Sequence, residues 1–205
     1  MILRTEEIAS RLEVAKQGDD PLVITPEPNL TKLKRSGSAS INLRLGTWFL
    51  QLQQTRNSVL KLPKKGQTID ESDLTRPFFV RFGSSFFLHP RTFLLGVTLE
   101  WIRLPKTLAG YLIGRSSWGR RGLIIATAAG VHPGFTGCLT LELSNVGEMP
   151  IEIRPGLEIC QLFLHEAPKM EDFVDQSTFI GFRRPTLGTI TIDEIAEKLG
   201  EDPSP

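Results

Sequence analysis

The chain is 205 residues long, 40% apolar and 23% charged, with a formal net charge of +1. That length suits one well-buried domain and is short for two, and the composition is that of an ordinary soluble protein. A near-zero charge supplies no long-range field for nucleic acid or an anionic membrane, so recognition of phosphate must be local.

No apolar run approaches the roughly 20 residues needed to cross a bilayer. The acid-bearing N-terminus lacks the apolar stretch of a signal peptide, so a cytoplasmic location is expected. Residues Thr5 to Lys16 predict a short helix with Ile8, Leu12 and Ala15 on one face. Strand signals then take over. Ser40 to Leu45 alternates, with Ile41, Leu43 and Leu45 on one side, and Trp48 to Leu52 continues it after Gly46. Residues 53–77 are polar and read as a loop or hairpin excursion around Pro63 and Gly66. Phe78 to Phe82, Phe86 to Leu88, Phe93 to Arg103 and Leu108 to Ile113 follow as strands.

In the second half, Leu123 to Ala126, Gly137 to Ser144, Ile151 to Ile153 and Leu157 to Leu164 are strand candidates, with Gly and Pro turns between them. Short strands at this spacing predict an all-β barrel or sandwich. Thr191 to Glu194 has capping-box spacing for a last short helix through Leu199. Cys138 and Cys160 lie inside apolar segments and read as free buried thiols. Neither a fixed-period repeat nor a linker divides the chain, so residues 1–205 are expected to form one domain.

Two constellations could carry chemistry. Gly114-Arg-Ser-Ser-Trp-Gly-Arg-Arg-Gly122 places two hydroxyls and three guanidinium groups in one turn, enough to grip a polyphosphate. Taken alone, composition favours a solvated basic turn. In Thr136 to Ser144, Leu139, Leu141 and Leu143 share one face, while Thr140, Glu142 and Ser144 share the other. A mid-strand glutamate is usually just exposed; an adjacent arginine would keep it ionised, as a general base requires. No zinc site of the cytidine-deaminase type is expected. The two cysteines are far apart, and neither His89, His132 nor His165 has a glutamate two residues on. A nucleophile elbow of the Gly-x-Ser-x-Gly type is absent from the sequence as well.

At these segments the sequence resembles the dCTP deaminase family of the dUTPase-like superfamily. The resemblance runs in order through Ser40 to Gly46, Phe87 to Pro90, Val97 to Glu100, Leu104-Pro105, Gly114 to Gly122, Pro133 to Gly137, Leu139 to Glu142, Asn145, Pro150 and Arg154 to Gly156. It implies a distorted β-barrel or jelly-roll of the dUTPase-like type with short peripheral helices. Residues 1–20 would form an N-terminal helical arm, and 166–205 a C-terminal flap with its short helix. It also implies a homotrimer with active sites at subunit boundaries, and Mg²⁺ brought by the nucleotide triphosphate.

The implied activity is that of a hydrolase acting on a cyclic amidine, converting dCTP to dUTP and ammonia. By position, Glu142 would be the general base and proton shuttle for water attacking C4 of cytosine. Ser116, Arg120 and the backbone of Thr127 to Gly130 would position that water. Arg115 and Ser117 would bind phosphate, and Phe135 would pack against the deoxyribose. Trp118, Gly119, Thr140 and Leu141 complete the implied contacts on the two segments.

His132 stands where the family usually has the aspartate of the sugar-binding turn, the water-activating base in the dUTPase branch. Triphosphate hydrolysis is therefore less expected. Asn42 likewise replaces a usual aspartate. In the flap, Thr178, Phe179 and Phe182 occupy the places of a lysine, a tyrosine and a glutamine, with Arg183 and Arg184 as replacement charge. Two alternatives stay open: a dUTP or dCTP phosphohydrolase, alone or combined with deamination, and a catalytically weak nucleotide-binding regulator.

Overall fold

A computed structural model describes residues 1–14, 19–53, 74–126, 130–168 and 181–188. Helix α1 (Thr5–Val14) lays Ile8, Ala9 and Leu12 into the core. Strand β1 (Val23–Thr25) and helix α2 (Leu30–Ser36) follow. Then come β2 (Ser40–Leu52), β3 (Thr75–Phe79), β4 (Phe86–Leu88), β5 (Phe93–Arg103) and β6 (Leu108–Gly114). A single helical turn, α3 (Ser116–Gly119), precedes β7 (Leu123–Ile125), β8 (Gly130–Val131), β9 (Thr136–Asn145), β10 (Ile151–Ile153) and β11 (Glu158–Glu166). The all-β expectation holds. Residue 16 and the Thr191 to Leu199 helix lie outside the described residues.

Nine strands form one antiparallel sheet in the order β7-β9-β5-β2-β11-β6-β8, with β1 added to β5 and β3 to β2. The sheet curls until β6 meets β7: a methyl group at Gly114 would stand 3.2 Å from Ile125 Cβ. Strands β4 and β10 make a separate ladder. Leucine, isoleucine and phenylalanine side chains from nearly every strand fill the interior, with Phe49, Leu43, Leu45, Leu141 and Leu143 fully buried.

Some bounds differ from expectation. Strand β2 runs unbroken through Gly46, because a glycine can lie against the Val97 and Thr98 carbonyls, where a Cβ would come within 3.1 Å of both oxygens. Strand β3 begins at Thr75 rather than Phe78; it holds Pro77, tolerable because β3 pairs only with β2 and is an edge. Helix α2 carries clear end signals, Asn29 accepting from Lys32 N at 2.9 Å and Gly37 at φ +62°.

Pairing slips three times: in β11 between Glu158 and Cys160 against β2, in β2 between Leu45 and Phe49 against β5, and in β5 between Val97 and Trp101 against β9. Such bulges bend strands and redirect side chains. Thr98 stitches this one, accepting from Leu139 N at 2.9 Å and donating to Glu100 O at 2.8 Å. Buried Glu100, 2% exposed, accepts from Arg44 N at 2.8 Å and Arg44 Nε at 2.7 Å.

Candidate active site

Strand β9 alternates as its leucines require. Leu139, Leu141 and Leu143 are buried; Cys138, Thr140, Glu142 and Ser144 are half-buried on the opposite face. Its neighbours are β5, where Leu95 pairs with Glu142, and β7, beyond which Ala126 N donates to Glu142 O at 3.0 Å. Among the described residues, no hydrogen bond or ion pair engages the Glu142 carboxylate.

The turn between β6 and β7 is built by its backbone. Arg115 N donates to Ile159 O at 3.0 Å, Trp118 N to Arg115 O at 3.0 Å and Arg120 N to Ser116 O at 3.0 Å. Gly122, at φ +90°, closes it against the following hairpin, where a Cβ would strike Gly147 N at 2.7 Å. Asn145, fully buried, fixes that hairpin by donating to Leu88 O and Met149 O, each at 2.8 Å, and accepting from Gly147 N at 2.9 Å. The result leaves Ser116, Ser117, Gly119 and Arg120 exposed, with no described partner for either hydroxyl or for the Arg120 guanidinium. Trp118 is half-buried against the core and donates Nε1–H to Glu158 O at 2.9 Å.

Arg120 and Glu142 do not meet within one chain. Arg120 closes α3 on the exposed surface, and β7 intervenes between that turn and β9, so no ion pair joins them. Two other expected contacts also change. The Leu141 side chain is 0% exposed, pointing into the core, which leaves only its backbone for a ligand. Phe135 is 7% exposed and packs with the core, while its N–H donates to His132 O at 3.2 Å. His132 itself stands exposed in that turn, and Thr140 is half-buried beside Glu142 on the same face.

The described part of the flap runs along the start of β9. Gly181 N donates to Thr136 O at 2.7 Å, and Cys138 N to Phe182 O at 2.9 Å. There Arg183 and Arg184 border an open cavity of about 580 Å³ formed at the bulges of β2 and β5, floored by Trp48, Trp101 and Cys138. The Arg184 guanidinium lies 4.0 Å from the Trp48 ring centroid. Phe182 and Arg183 are thus placed at the Cys138 end of the strand, away from Glu142. Thr178 and Phe179 fall outside the described residues, as do Thr127 to Ala129.

Cys138 and Cys160 are both free thiols. Burial pushes the Cys138 thiol up, Arg183 nearby pulls it down, and Glu100 adds to the rise. Among the described residues, no three His, Cys, Asp or Glu side chains converge to hold a metal ion. No helix among them is long and apolar enough to cross a membrane.

Residues 2–167 match the family described as dCTP deaminase-like. The chain belongs to that family. It is 35% identical over 200 residues to a protein of Dictyoglomus turgidum named "dCTP deaminase, dUMP-forming", covering 94% of this chain and 96% of that one. A protein of the same name from Mycobacterium sp. (strain KMS) is 38% identical over 165 residues, covering 80% of each chain. A Natronomonas pharaonis protein named "dCTP deaminase" is 36% identical over 167 residues, covering 81% of this chain and 80% of its own. Among solved structures, the 2'-deoxycytidine 5'-triphosphate deaminase of Agrobacterium tumefaciens shares the fold with a TM-score of 0.57 at 20% identity. That match covers 81% of this chain and 48% of the other, so the present chain spans about half of it.

Residues outside the sequence-derived set also enter the site region. Glu158 pairs with Arg115, and Trp48 borders the cavity beside the flap. The signal for Glu158 was only its place after the Arg154-Pro-Gly156 turn; nothing local in the sequence ties it to Arg115.

Proposed function

We propose that this protein deaminates dCTP. Family membership supports the substrate class, and one geometric observation carries the mechanism: Glu142 is a half-buried carboxylate with no described partner, on a strand separated by β7 from an exposed turn of hydroxyls and guanidinium groups. With no bond to another side chain among the described residues, the Glu142 carboxylate has lone pairs open to water and substrate, and a guanidinium brought beside it would keep it ionised.

In the proposed reaction Glu142 takes a proton from water as the water oxygen bonds to C4 of the cytosine ring. The carboxyl passes that proton to N3. It then moves the hydroxyl proton to the exocyclic nitrogen, which leaves as ammonia while C4 becomes the uracil carbonyl. Ser116 and Arg120 orient the water and stabilise charge developing at C4. Arg115 and Ser117 face the phosphates, and Mg²⁺ arrives on the triphosphate. Thr140 and the backbone of Leu141 lie beside the base, and His132 can hydrogen-bond the sugar hydroxyl.

Because Arg120 and Glu142 stay apart within one chain, the site is assembled between subunits, with the turn of one chain facing β9 of another. A homotrimer of closed symmetry provides that arrangement three times over.

The product of the scheme is dUTP. A second reading, deamination followed by loss of pyrophosphate to give dUMP, draws support from the names of the Dictyoglomus and Mycobacterium relatives. His132 at the sugar turn weighs against it. Incubating the protein with dCTP, dUTP and their ribonucleotide counterparts, and measuring ammonia and pyrophosphate separately, tests both. Ammonia from dCTP without pyrophosphate is expected. Pyrophosphate in equal amount establishes the second reading, and no ammonia from dCTP overturns the function.

A further inference from the structure

We infer that Glu158 is a positioning residue that clamps the phosphate-facing turn, and that this clamp requires a neutral amide at position 42. The inference rests on the reading of Arg115 as a phosphate ligand. Three elements meet here. Ser40 and Asn42 lie on β2, Glu158 and Gln161 on β11, and Arg115 and Trp118 in the turn that follows β6.

The hydrogen bonds between them run in one direction. Gln161 Nε2 donates to Ser40 Oγ at 3.2 Å and to Asn42 Oδ1 at 3.1 Å. Its amide is thereby used up as a donor, and Asn42 must turn its own Nδ2–H₂ the other way. That group donates to Glu158 Oε2 at 2.9 Å. The same oxygen receives Arg115 Nη1–H in a close ion pair. The backbone at this point completes the clamp, with Glu158 O accepting from Trp118 Nε1 and Ile159 O accepting from Arg115 N. Residues 158 and 159 thus grip the turn at both ends, and Ser116 and Ser117 are held out between the grips.

An exposed ion pair of this kind contributes little to stability, since solvent screens it. Its effect is on orientation. Arginine has five donors in a rigid fork; with one held by Glu158, the remaining edge is left for phosphate. Both side-chain bonds end on one oxygen of residue 158. A glutamine there, offering its carbonyl oxygen, can accept the same two bonds without the charge. Asn42→Asp would instead put a second carboxylate within 3 Å of the first, and the repulsion would turn Glu158 away from Arg115.

The test is a double-mutant cycle on dCTP turnover. Losing a charge-assisted hydrogen bond that orients a phosphate ligand is expected to raise KM about tenfold in Asn42→Asp and in Glu158→Ala. The turnover number should stay near wild type, because phosphate binding is felt equally in ground and transition states. Glu158→Gln alone, whose carbonyl oxygen accepts both bonds, should keep KM near the wild-type value, and Asn42→Asp should raise KM no further in a Glu158→Ala background, where the carboxylate it repels is gone. Melting temperatures should not follow this pattern. A wild-type KM in Asn42→Asp, or a further rise in KM when Asn42→Asp is added to Glu158→Ala, overturns the inference. If the wild type itself fails to release ammonia from dCTP, the functional reading fails first. The clamp is then read by hydrogen exchange at the amides of Arg115 and Trp118. Faster exchange in Asn42→Asp and in Glu158→Ala, with no further gain when the two are combined, supports it, and unchanged exchange overturns it.

Discussion

Glu100 and Glu142 occupy neighbouring strands, β5 and β9, in opposite circumstances. Glu100 is 2% exposed and takes both the backbone N–H and the guanidinium of Arg44, in the bulge where β5 leaves register with β9. Glu142 is half-buried in regular β9, with its carboxylate free of described partners. The first is saturated and serves the fold. The second has lone pairs that no described residue engages, as its proposed role requires. What separates the two carboxylates is unmet bonding capacity, and the proposed reaction assigns its base on that difference.

The sharpest way to break this contrast is to exchange charge for amide at each position. Glu142→Gln should lower dCTP deamination by about a thousandfold, the scale of lost general acid–base catalysis. Its unfolding free energy should stay within about 0.5 kcal/mol of wild type, because no described bond is removed. Steady-state kinetics and urea denaturation check the two halves; a destabilised Glu142→Gln protein would mean that Glu142 also serves the fold.

The converse substitution is Arg44→Ala, which strands the buried Glu100 carboxylate. Removing one partner of such a pair is expected to cost about 3 kcal/mol in denaturant unfolding, with catalytic constants per folded molecule little changed. A third substitution lies on β9 itself. Asn145→Ala leaves the Leu88 and Met149 carbonyls without their donor, and about 2 kcal/mol of stability should go with it, again read by denaturation.

The smallest effect concerns Cys160, whose thiol is pushed up to about 12 from 9.0, first by burial and second by the Glu100 charge. The unfolded thiol ionises near its ordinary value while the folded one does not. Stability from this group is thus complete below pH 9 and declines as pH rises towards 12. Unfolding measured from pH 8 to 10 should show a shallower fall in Cys160→Ala, the difference being about 1 kcal/mol. Identical slopes would remove the effect.

Much of this architecture was legible in the sequence because period-two alternation reports a half-buried strand directly. Strands β4, β5 and β10 have the expected bounds, and the two faces of β9 divide as the leucines predict. Less legible was anything decided by a distant partner. That β2 continues past Gly46 was expected, but the reason a glycine stands there, the nearness of the bulged β5 backbone, was not. Phe135 and Leu141 have the residue types of a sugar platform and a base contact, but only the packed core shows that their side chains face inward. Arg115 and Glu158 are 43 residues apart in sequence, and no periodicity links them. Helix α2 is a different case: Asn29 and Gly37 announce its ends, although its interior has too few apolar residues to be noticed.

Whether the turn and β9 work together across subunits can be decided by co-expressing Arg120→Ala and Glu142→Gln chains carrying separable tags. Each variant alone should be inactive on dCTP. Mixed oligomers purified through both tags should recover a fraction of wild-type ammonia release, because some interfaces then join an intact Arg120 to an intact Glu142. Mixed oligomers as inactive as either parent would contradict a site shared between chains.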